Sequence, residues 1–279
     1  MMKRTNDLIF KLIFGSPGNT DILAAFLMSV LNLPEKEYET LTIVDPHTRI
    51  ESENGKHSIL DIKLHTKSQN VIDIEIQVAD TPQLKKRILF YTAKMLTEQL
   101  DRGEDYDKLR NVVTILITDY SFIEDSDLYH HRYRFYDENA QSLFSDTMEI
   151  NVLELPKLPP NSDATSLWDW LRFLKTDREE EMKMLAQKNE KINRAFGVLM
   201  ELSEDEKVKL RYEAREKAER DERDRLKGSL AKGIEIGMEK GMEKGMVAVA
   251  KKMLEENMSA EVISRFTGLS IAEIENLDA

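Results

Sequence analysis

Two short apolar segments of the sequence, Ile59–His65 (I-L-D-I-K-L-H) and Val71–Val78 (V-I-D-I-E-I-Q-V), decide the fold. In each segment every second residue is Ile, Leu or Val, which is the pattern of a β-strand that buries one of its faces. A chain reversal near Lys67–Gln69 would pair the two strands in an antiparallel hairpin. The sequence therefore predicts a hairpin with one apolar and one polar face.

The polar face of the predicted hairpin carries acids from both strands. Antiparallel pairing places Asp61 opposite Glu75 and Lys63 opposite Asp73, with Gln77 further along the second strand. Opposed carboxylates repel each other unless a cation lies between them, and a divalent metal ion is the obvious candidate. A half-exposed hairpin also shows a polar face when it has no active site, so the pattern alone leaves both interpretations open.

The composition of this 279-residue chain predicts one sizeable core plus an appendage. The chain has no cysteine, which excludes a disulfide scaffold and thiol catalysis and is typical of a reducing cytoplasm. We find no secretory signal and no apolar run near the roughly 20 residues that span a bilayer, so we expect a soluble, cytoplasmic protein with no membrane partner. The net charge of −12 argues against nonspecific coating of nucleic acid, but not against a nucleic-acid enzyme.

Hydrophobic periodicity predicts an α/β fold in which helices flank a mixed central sheet. The apolar run 111–118 lacks alternation, which is typical of a strand that is covered on both faces. The helix that follows the hairpin is expected to bury Tyr91 in its apolar stripe. The other predicted elements of this region are helices at 6–33 and 82–102 and strands at 41–50, 132–137 and 148–155.

The C-terminal part of the chain is predicted to be a helical tail. Helices are expected at 166–175 and 178–202, followed by a mixed-charge run at 205–227. Glycines then recur every four residues, at positions 233, 237, 241 and 245. Each costs a helix about 1 kcal/mol relative to alanine, so a mobile linker and the close packing of two helices are both open.

The last residues of the chain contain two short capped helices that resemble a helix-turn-helix. Ser259 is the expected cap of the first, and Ser270 forms a capping box with Glu273 at the start of the second. A recognition helix usually presents basic or amide side chains to base edges, whereas this last helix is acidic. We therefore favour a packing or assembly role, including homo-oligomer formation through the helical tail, over DNA reading.

Five spaced motifs follow one another along the first part of the chain. They are D-x-x-F-K-x-x-F-G from Asp7, then I-L-D-I-K-L, I-E-I-Q, R-x-x-x-Y from Arg87, and Q-L-D-R-G-E-D-Y-D-K-L from Gln99. This order resembles the Rpn family of recombination-promoting nucleases, also described as transposases, within the PD-(D/E)XK nuclease superfamily. The resemblance implies a restriction-endonuclease-like fold. The resulting domain prediction is a nuclease domain at 1–160, a helical extension at 161–204, a charged and glycine-repeat helical linker at 205–246 and a small helix-turn-helix-like element at 247–279.

The resemblance also implies metal-dependent cleavage of DNA and names the residues that would carry it out. Asp61 and Glu75 match the two acids of the superfamily, while Gln77 stands where most members have a lysine. Glutamine can position a water molecule by hydrogen bonding but cannot supply positive charge. The implied metal ligands are Asp61, Glu75 and the backbone carbonyl of Ile76, with Asp7 as a further candidate whose alternative role is helix capping. Such oxygen ligands suit Mg²⁺, or Mn²⁺ or Ca²⁺ in its place.

Several basic side chains near the acidic hairpin are candidates for contacts with the DNA backbone. Each has a structural alternative, such as an ion pair with Asp73 or a role in holding a helix to the sheet. The leading prediction is a Mg²⁺-dependent DNA endonuclease that promotes recombination or belongs to a mobile element. The alternatives are a degenerate nuclease fold that serves as a DNA- or protein-binding or assembly module, and a helix-turn-helix regulator. The candidate DNA contacts are Lys11, Lys63, Lys85, Lys86 and Arg87.

Overall fold

A computed structural model describes residues 1–31, 33–44, 62–79, 81 and 83–277 of the chain. The chain divides into two compact units, Met1–Arg215 and Glu216–Ala279. The described strands all belong to the first unit and form one sheet. They are β1 (Thr42–Val44), β2 (Ile62–His65), β3 (Val71–Gln77), β4 (Val112–Thr118), β5 (His130–Asp137) and β6 (Ser142–Glu154).

The sheet is mixed, and its strand order is β1-β2-β3-β4-β6-β5. Strand β4 lies in the interior and pairs in parallel with β3 and with β6, while the other neighbours are antiparallel. Every residue of β4 is buried, which confirms the prediction of a strand covered on both faces. The mixed sheet and its flanking helices confirm the predicted α/β class.

Helices cover both faces of this sheet, and further helices make up the second unit. Asn6 begins the first helix, because its side chain accepts a hydrogen bond from the backbone N–H of Leu8 at 3.2 Å. The described helices are α1 (Asp7–Phe14), α2 (Thr20–Val30), α3 (Leu84–Thr97), α4 (Ser166–Lys175), α5 (Glu179–Lys188), α6 (Glu190–Glu204), α7 (Glu206–Glu255), α8 (Ala260–Thr267) and α9 (Ile271–Glu275). The boundary between the two units falls within α7.

The main core lies on the apolar face of the sheet. The isoleucines of β3 pack there against α1, α2 and α4 to α6 in one continuous cluster. At its centre the rings of Phe14, Phe26 and Trp170 contact one another, with centroids 5.4 to 6.0 Å apart. The helices of the predicted extension at 161–204 therefore share a core with the sheet, rather than forming a core of their own.

The opposite face of the sheet is covered by α3, which buries Leu84, Ile88, Thr92 and Met95. The prediction that Tyr91 belongs to this stripe is wrong, because its side chain is 45% exposed. Thr92 takes its place. The Thr92 hydroxyl bonds to that of Thr114 on β4 at 2.7 Å, so a polar residue satisfies its hydrogen bonds at the interface between helix and sheet.

The predicted hairpin is confirmed for the part of it that the structure describes. Strands β2 and β3 pair antiparallel, and Lys63 lies opposite Asp73 as expected. Asp61 lies outside the described residues, and so does its predicted pairing with Glu75. The predicted first strand at 41–50 is observed at Thr42–Val44, and residues 45–50 likewise lie outside the described part.

Two helical predictions are changed by the structure. The expected helix at 178–202 is broken into α5 and α6, because the side chain of Asn189 accepts hydrogen bonds from the backbone N–H groups of Lys191 and Ile192. The glycine repeat lies within the single helix α7. The repeat is therefore helical in this structure, and the close packing of two such helices stays a prediction.

The second unit contains a small apolar cluster of its own. The end of α7 packs with α8 and α9 around Ala250, Ile263 and Ile274. The predicted capping box is present, because Ser270 and Glu273 exchange hydrogen bonds at the start of α9. No helix in the described part of the chain combines the length and the apolar character that crossing a membrane requires.

Candidate active site

The polar side chains of β3 lie under α3 and are not exposed on a solvated sheet face. Alternation along the strand directs Asp73, Glu75 and Gln77 to the face opposite the isoleucines. Asp73 is 8% exposed and Glu75 is 5% exposed. The two acids of β3 are therefore not on a solvated face, although Lys63 and His65 on β2 are partly exposed. Their burial makes the two carboxylates unusual, because acids are seldom buried unless they are paired or functional.

Glu75 is held from two sides. The amide Nε2 of Gln77 donates to Glu75 Oε1 at 2.5 Å, and the Nη2 of Arg87 on α3 donates to the same oxygen. Among the hydrogen bonds of the described residues, the other carboxylate oxygen, Oε2, accepts none. Oε1 of Glu75 is therefore fixed by Gln77 and Arg87, whereas Oε2 has no hydrogen-bond donor within the part of the chain that the structure describes.

The surroundings of the two acids disfavour their charged forms. Burial raises the pKa of Glu75, and the charge of Arg87 and its hydrogen bond oppose this shift. Burial also raises the pKa of Asp73, the negative charge of Glu75 raises it further, and Lys63 on the neighbouring strand opposes the rise. Two buried acids whose charges repel are stabilised when a cation binds between or beside them.

The backbone of β3 presents the carbonyl of Ile76 away from β4. The carbonyl of Gln77 accepts a hydrogen bond from the N–H of Asp119, which follows β4, at 3.0 Å. Successive carbonyls of a strand point in opposite directions, so the carbonyl of Ile76 points to the side of β2. The described pairing of β2 with β3 ends at Ile62 and Ile74. The predicted carbonyl ligand thus lies outside the ladder between β3 and β4.

These donors have the chemistry of a site for a hard divalent cation. Carboxylate and carbonyl oxygens suit Mg²⁺ or Mn²⁺, which retains several water ligands and needs few protein ligands. Within the described ranges, no three His, Cys, Asp or Glu side chains are grouped closely enough to bind a metal ion. The third predicted oxygen donor, Asp61, immediately precedes β2 in sequence but lies outside those ranges.

Asp7 and Lys11 lie on α1, the helix that packs against the apolar face, whereas Glu75 lies on the face under α3. Asn6 occupies the N-cap position of α1, and Asp7 Oδ1 also accepts the Leu8 N–H, at 2.6 Å, so Asp7 assists the capping of the helix. Its carboxylate pairs in addition with Arg215, whose Nε lies 2.9 Å from Oδ2. The structure therefore gives Asp7 a structural partner at the end of the first unit.

The helix α3 carries three of the candidate DNA contacts, and the structure separates their roles. The Nζ of Lys85 lies 5.5 Å above the ring of Phe122, in a cation–π contact on the protein surface. Lys86 is exposed. Arg87 faces the sheet and binds Glu75, so it acts on the acidic centre and not as a surface charge.

Two features of this centre are missed by sequence reasoning. Asp73 is expected only as an ion-pair partner of Lys63, yet it is a second buried acid two residues before Glu75. Arg87 is expected to contact phosphate or to hold α3 to the sheet, and its partner Glu75 is not foreseen. The available signal is its position three residues after Leu84, which places it beside the buried stripe of α3.

Glu75 is a buried acid on an interior strand of a mixed sheet, and it is held by Gln77 and by Arg87 of the covering helix. Such a fold belongs to the restriction-endonuclease-like α/β class. The comparisons with known proteins agree with this class. The family model of the PD-(D/E)XK nuclease family transposases matches residues 4–229, and the chain belongs to this family. No curated protein and no solved structure gives a significant match. The match confirms the expected superfamily and supports a nuclease- or transposase-related function.

Proposed function

We propose that this protein is a divalent-metal-dependent endonuclease that hydrolyses the phosphodiester bonds of DNA. Its centre would consist of Asp61, Glu75 and Gln77, together with the backbone carbonyl of Ile76. The observation that carries the proposal is the state of Glu75, which is buried while the two hydrogen bonds that it accepts from described residues reach a single oxygen. Burying a carboxylate in this way costs stability, so the arrangement is typical of a functional acid.

The metal would be Mg²⁺ or Mn²⁺, held by the carboxylates of Asp61 and Glu75. When bound, such an ion lowers the pKa of a coordinated water and polarises the scissile phosphate. The protein's own contribution is to orient its ligands. Gln77 and Arg87 fix Oε1 of Glu75, which leaves Oε2 for the cation.

Gln77 has a second use in this arrangement. Its Nε2 donates to Glu75, so its side-chain carbonyl oxygen can accept a hydrogen bond from the attacking water and orient it. Arg87 supplies the positive charge that a lysine at position 77 would have supplied. This charge comes from α3 instead of β3, and it lies on the same face of the sheet as Glu75.

The DNA would approach the face of the sheet that carries Glu75, along α3. Lys85 and Lys86 are exposed on this helix, and Lys63 lies on β2 opposite Asp73. Lysines placed in this way can contact backbone phosphates and position the duplex without reading its sequence. Breaks made by such an enzyme would promote recombination or the mobility of a genetic element.

The test is the conversion of supercoiled plasmid by the full-length protein in the presence of Mg²⁺ or Mn²⁺. We expect cleavage that EDTA abolishes and that falls by about a thousandfold in Asp61→Asn and in Glu75→Gln. Glu98→Gln makes the same chemical change at an exposed acid directly after α3 and should cleave normally. Cleavage that survives both Asp61→Asn and Glu75→Gln contradicts the proposed centre. A folded protein that cleaves with neither metal would favour the binding or assembly module.

A further inference from the structure

The segment of α7 from Leu226 to Met242 exposes a row of large apolar side chains. Side chains four residues apart are neighbours on a helix surface, so these residues form a continuous ridge. A continuous exposed apolar surface of this kind usually marks an interaction site. The members of the ridge, each between 48% and 66% exposed, are Leu226, Leu230, Ile234, Met238 and Met242.

A groove of glycines runs beside the ridge. Gly233, Gly237 and Gly241 each precede a ridge residue and repeat at the same four-residue interval. A Cβ atom added at any of the three would meet no described atom within 4 Å, so the folded chain does not itself require glycine there. Each glycine nevertheless costs the helix about 1 kcal/mol relative to alanine. A second helix that approaches closely is the partner that would need this groove.

The charges beside the ridge and the groove differ in sign. Successive helical residues are about 100° apart, so the four-residue repeat places glycine, apolar, acidic and basic rows in that order around the helix. Glu235 flanks the ridge on the side away from the groove. Lys240 and Lys244 flank the groove on the side away from the ridge. One edge of the surface is therefore acidic and the other edge is basic.

We propose that this surface of α7 binds the same surface of a second copy of the chain, with the two helices parallel. A parallel two-fold axis sets the ridge of each helix against the groove of the other, so that Met238 packs on the partner's Gly237. The same axis places Glu235 beside the partner's Lys240. An antiparallel pair would instead set ridge against ridge and Glu235 beside its own counterpart, which loses both kinds of complementarity.

The pattern also determines how the two helices cross. Rows of residues four apart are inclined to the helix axis, and interlocking two such rows gives a crossing angle of about −50°. The contact is then concentrated near Gly237, Met238 and Gly241, where the backbones approach most closely. A second copy is the favoured occupant because the acidic and the basic edge belong to one segment, which makes the surface self-complementary.

The first test compares two glycine substitutions in the full-length protein by sedimentation equilibrium. Gly237→Leu fills the groove and should raise the dimer dissociation constant by about tenfold or more. Gly228→Leu lies off this surface, with nothing within 4 Å of the added Cβ, and should leave the constant unchanged. Both substitutions should maintain or increase helicity in circular dichroism. A wild-type protein that stays monomeric at about 100 µM, or equal effects of the two substitutions, would overturn the proposal.

The second test establishes the direction of the helices. In the parallel arrangement Glu235→Lys places like charges together at both edges, and it should weaken the dimer several-fold at low salt. Adding Lys240→Glu to the same chain restores opposite charges and should recover the wild-type constant. If Glu235→Lys has no effect, or if the double substitution weakens the dimer further, the parallel pairing is wrong. Neither test depends on DNA cleavage, so the proposed interface can be refuted without refuting the proposed activity, and the reverse also holds.

Discussion

Two glutamates of the first unit, Glu75 and Glu37, are equally buried at 5% exposure but are bound very differently. Glu37 accepts hydrogen bonds on both of its oxygens. Oε2 receives the Thr66 hydroxyl at 2.7 Å, the Ser68 N–H at 3.2 Å and the Asn70 amide at 3.3 Å, while Oε1 receives the Ser68 hydroxyl at 2.7 Å. Glu75 has two donors among the described residues, Gln77 and Arg87, and both bind the same oxygen, Oε1.

The pKa values of the two acids shift in opposite directions. Hydrogen bonds from Ser68, together with one from Thr66, lower the pKa of Glu37 against the effect of burial. Burial raises the pKa of Glu75 despite the charge of Arg87. Burial alone therefore does not identify a functional acid. Glu37, whose two oxygens both accept hydrogen bonds, anchors the turn between β2 and β3. Glu75, whose Oε2 has no donor in the described ranges, keeps an oxygen that suits a cation.

The largest expected difference between the two glutamates is in activity. Glu75→Gln should lower plasmid cleavage by about a thousandfold, because a neutral amide is a poor ligand for a hard cation. Glu37→Gln should lower cleavage by less than about threefold at temperatures where the protein is folded, because the described hydrogen bonds of the Glu37 carboxylate all come from the turn. Initial cleavage rates measure both effects. Equal losses of cleavage rate in the two folded variants would contradict the different roles assigned to Glu75 and Glu37.

The next largest effect is on stability, where substitution of Glu37 should destabilise the protein more than substitution of Glu75. Glu37→Ala removes the acceptor of the buried Thr66 hydroxyl and of two partly buried hydrogen bonds from Ser68, and should lower the free energy of unfolding by about 2 kcal/mol. Urea denaturation measures the change. The matched control is Glu39→Ala, which removes only an exposed ion pair with Lys67 of the same turn and should change the free energy of unfolding far less. A loss at Glu37 no greater than at Glu39 would show that the turn does not need this acid.

Acid should remove the contribution of Glu37 selectively. Because its pKa is lowered in the folded state, its stabilising effect is fully present above the unfolded value of about 4.3. The effect is lost as the pH falls through the folded pKa. The difference in unfolding free energy between wild type and Glu37→Gln should therefore shrink as the pH falls from 7 to about 3. A difference that stays constant over this range would contradict the role of its charge.

Much of this molecule could be predicted because the relevant signals are local. Alternation within two short segments was enough for the β2–β3 pairing, including Lys63 opposite Asp73. The capping box at Ser270 needs only four residues of sequence. Periodicity likewise located α3 and the buried strand β4. The fold class follows from these elements, since each has few ways to bury its apolar face.

The contacts that hold the structural acids of this fold are not local, and the sequence does not reveal them. Glu37 binds a turn about thirty residues away, and Asp7 pairs with Arg215 across 208 positions. Such pairs depend on how the helices dock, which no periodicity encodes. The hydrophobicity of a side chain also gives a wrong prediction of burial in α3. Tyr91 was expected to be buried for its apolar ring, but Thr92 is buried because Thr114 satisfies its hydroxyl.

The smallest expected effect is the change in the free energy of unfolding caused by Glu75→Gln. This change tests most directly whether Glu75 and Glu37 have different roles. A neutral side chain of nearly the same shape avoids the cost of a buried charge, and Arg87, whose side chain is 30% exposed, can still reach water. The free energy of unfolding should therefore change by less than about 1 kcal/mol, while cleavage is lost. Urea denaturation beside Glu37→Ala checks this. If Glu75→Gln were as destabilising as Glu37→Ala, Glu75 would be a second structural acid, and its Oε2 would no longer indicate a cation site.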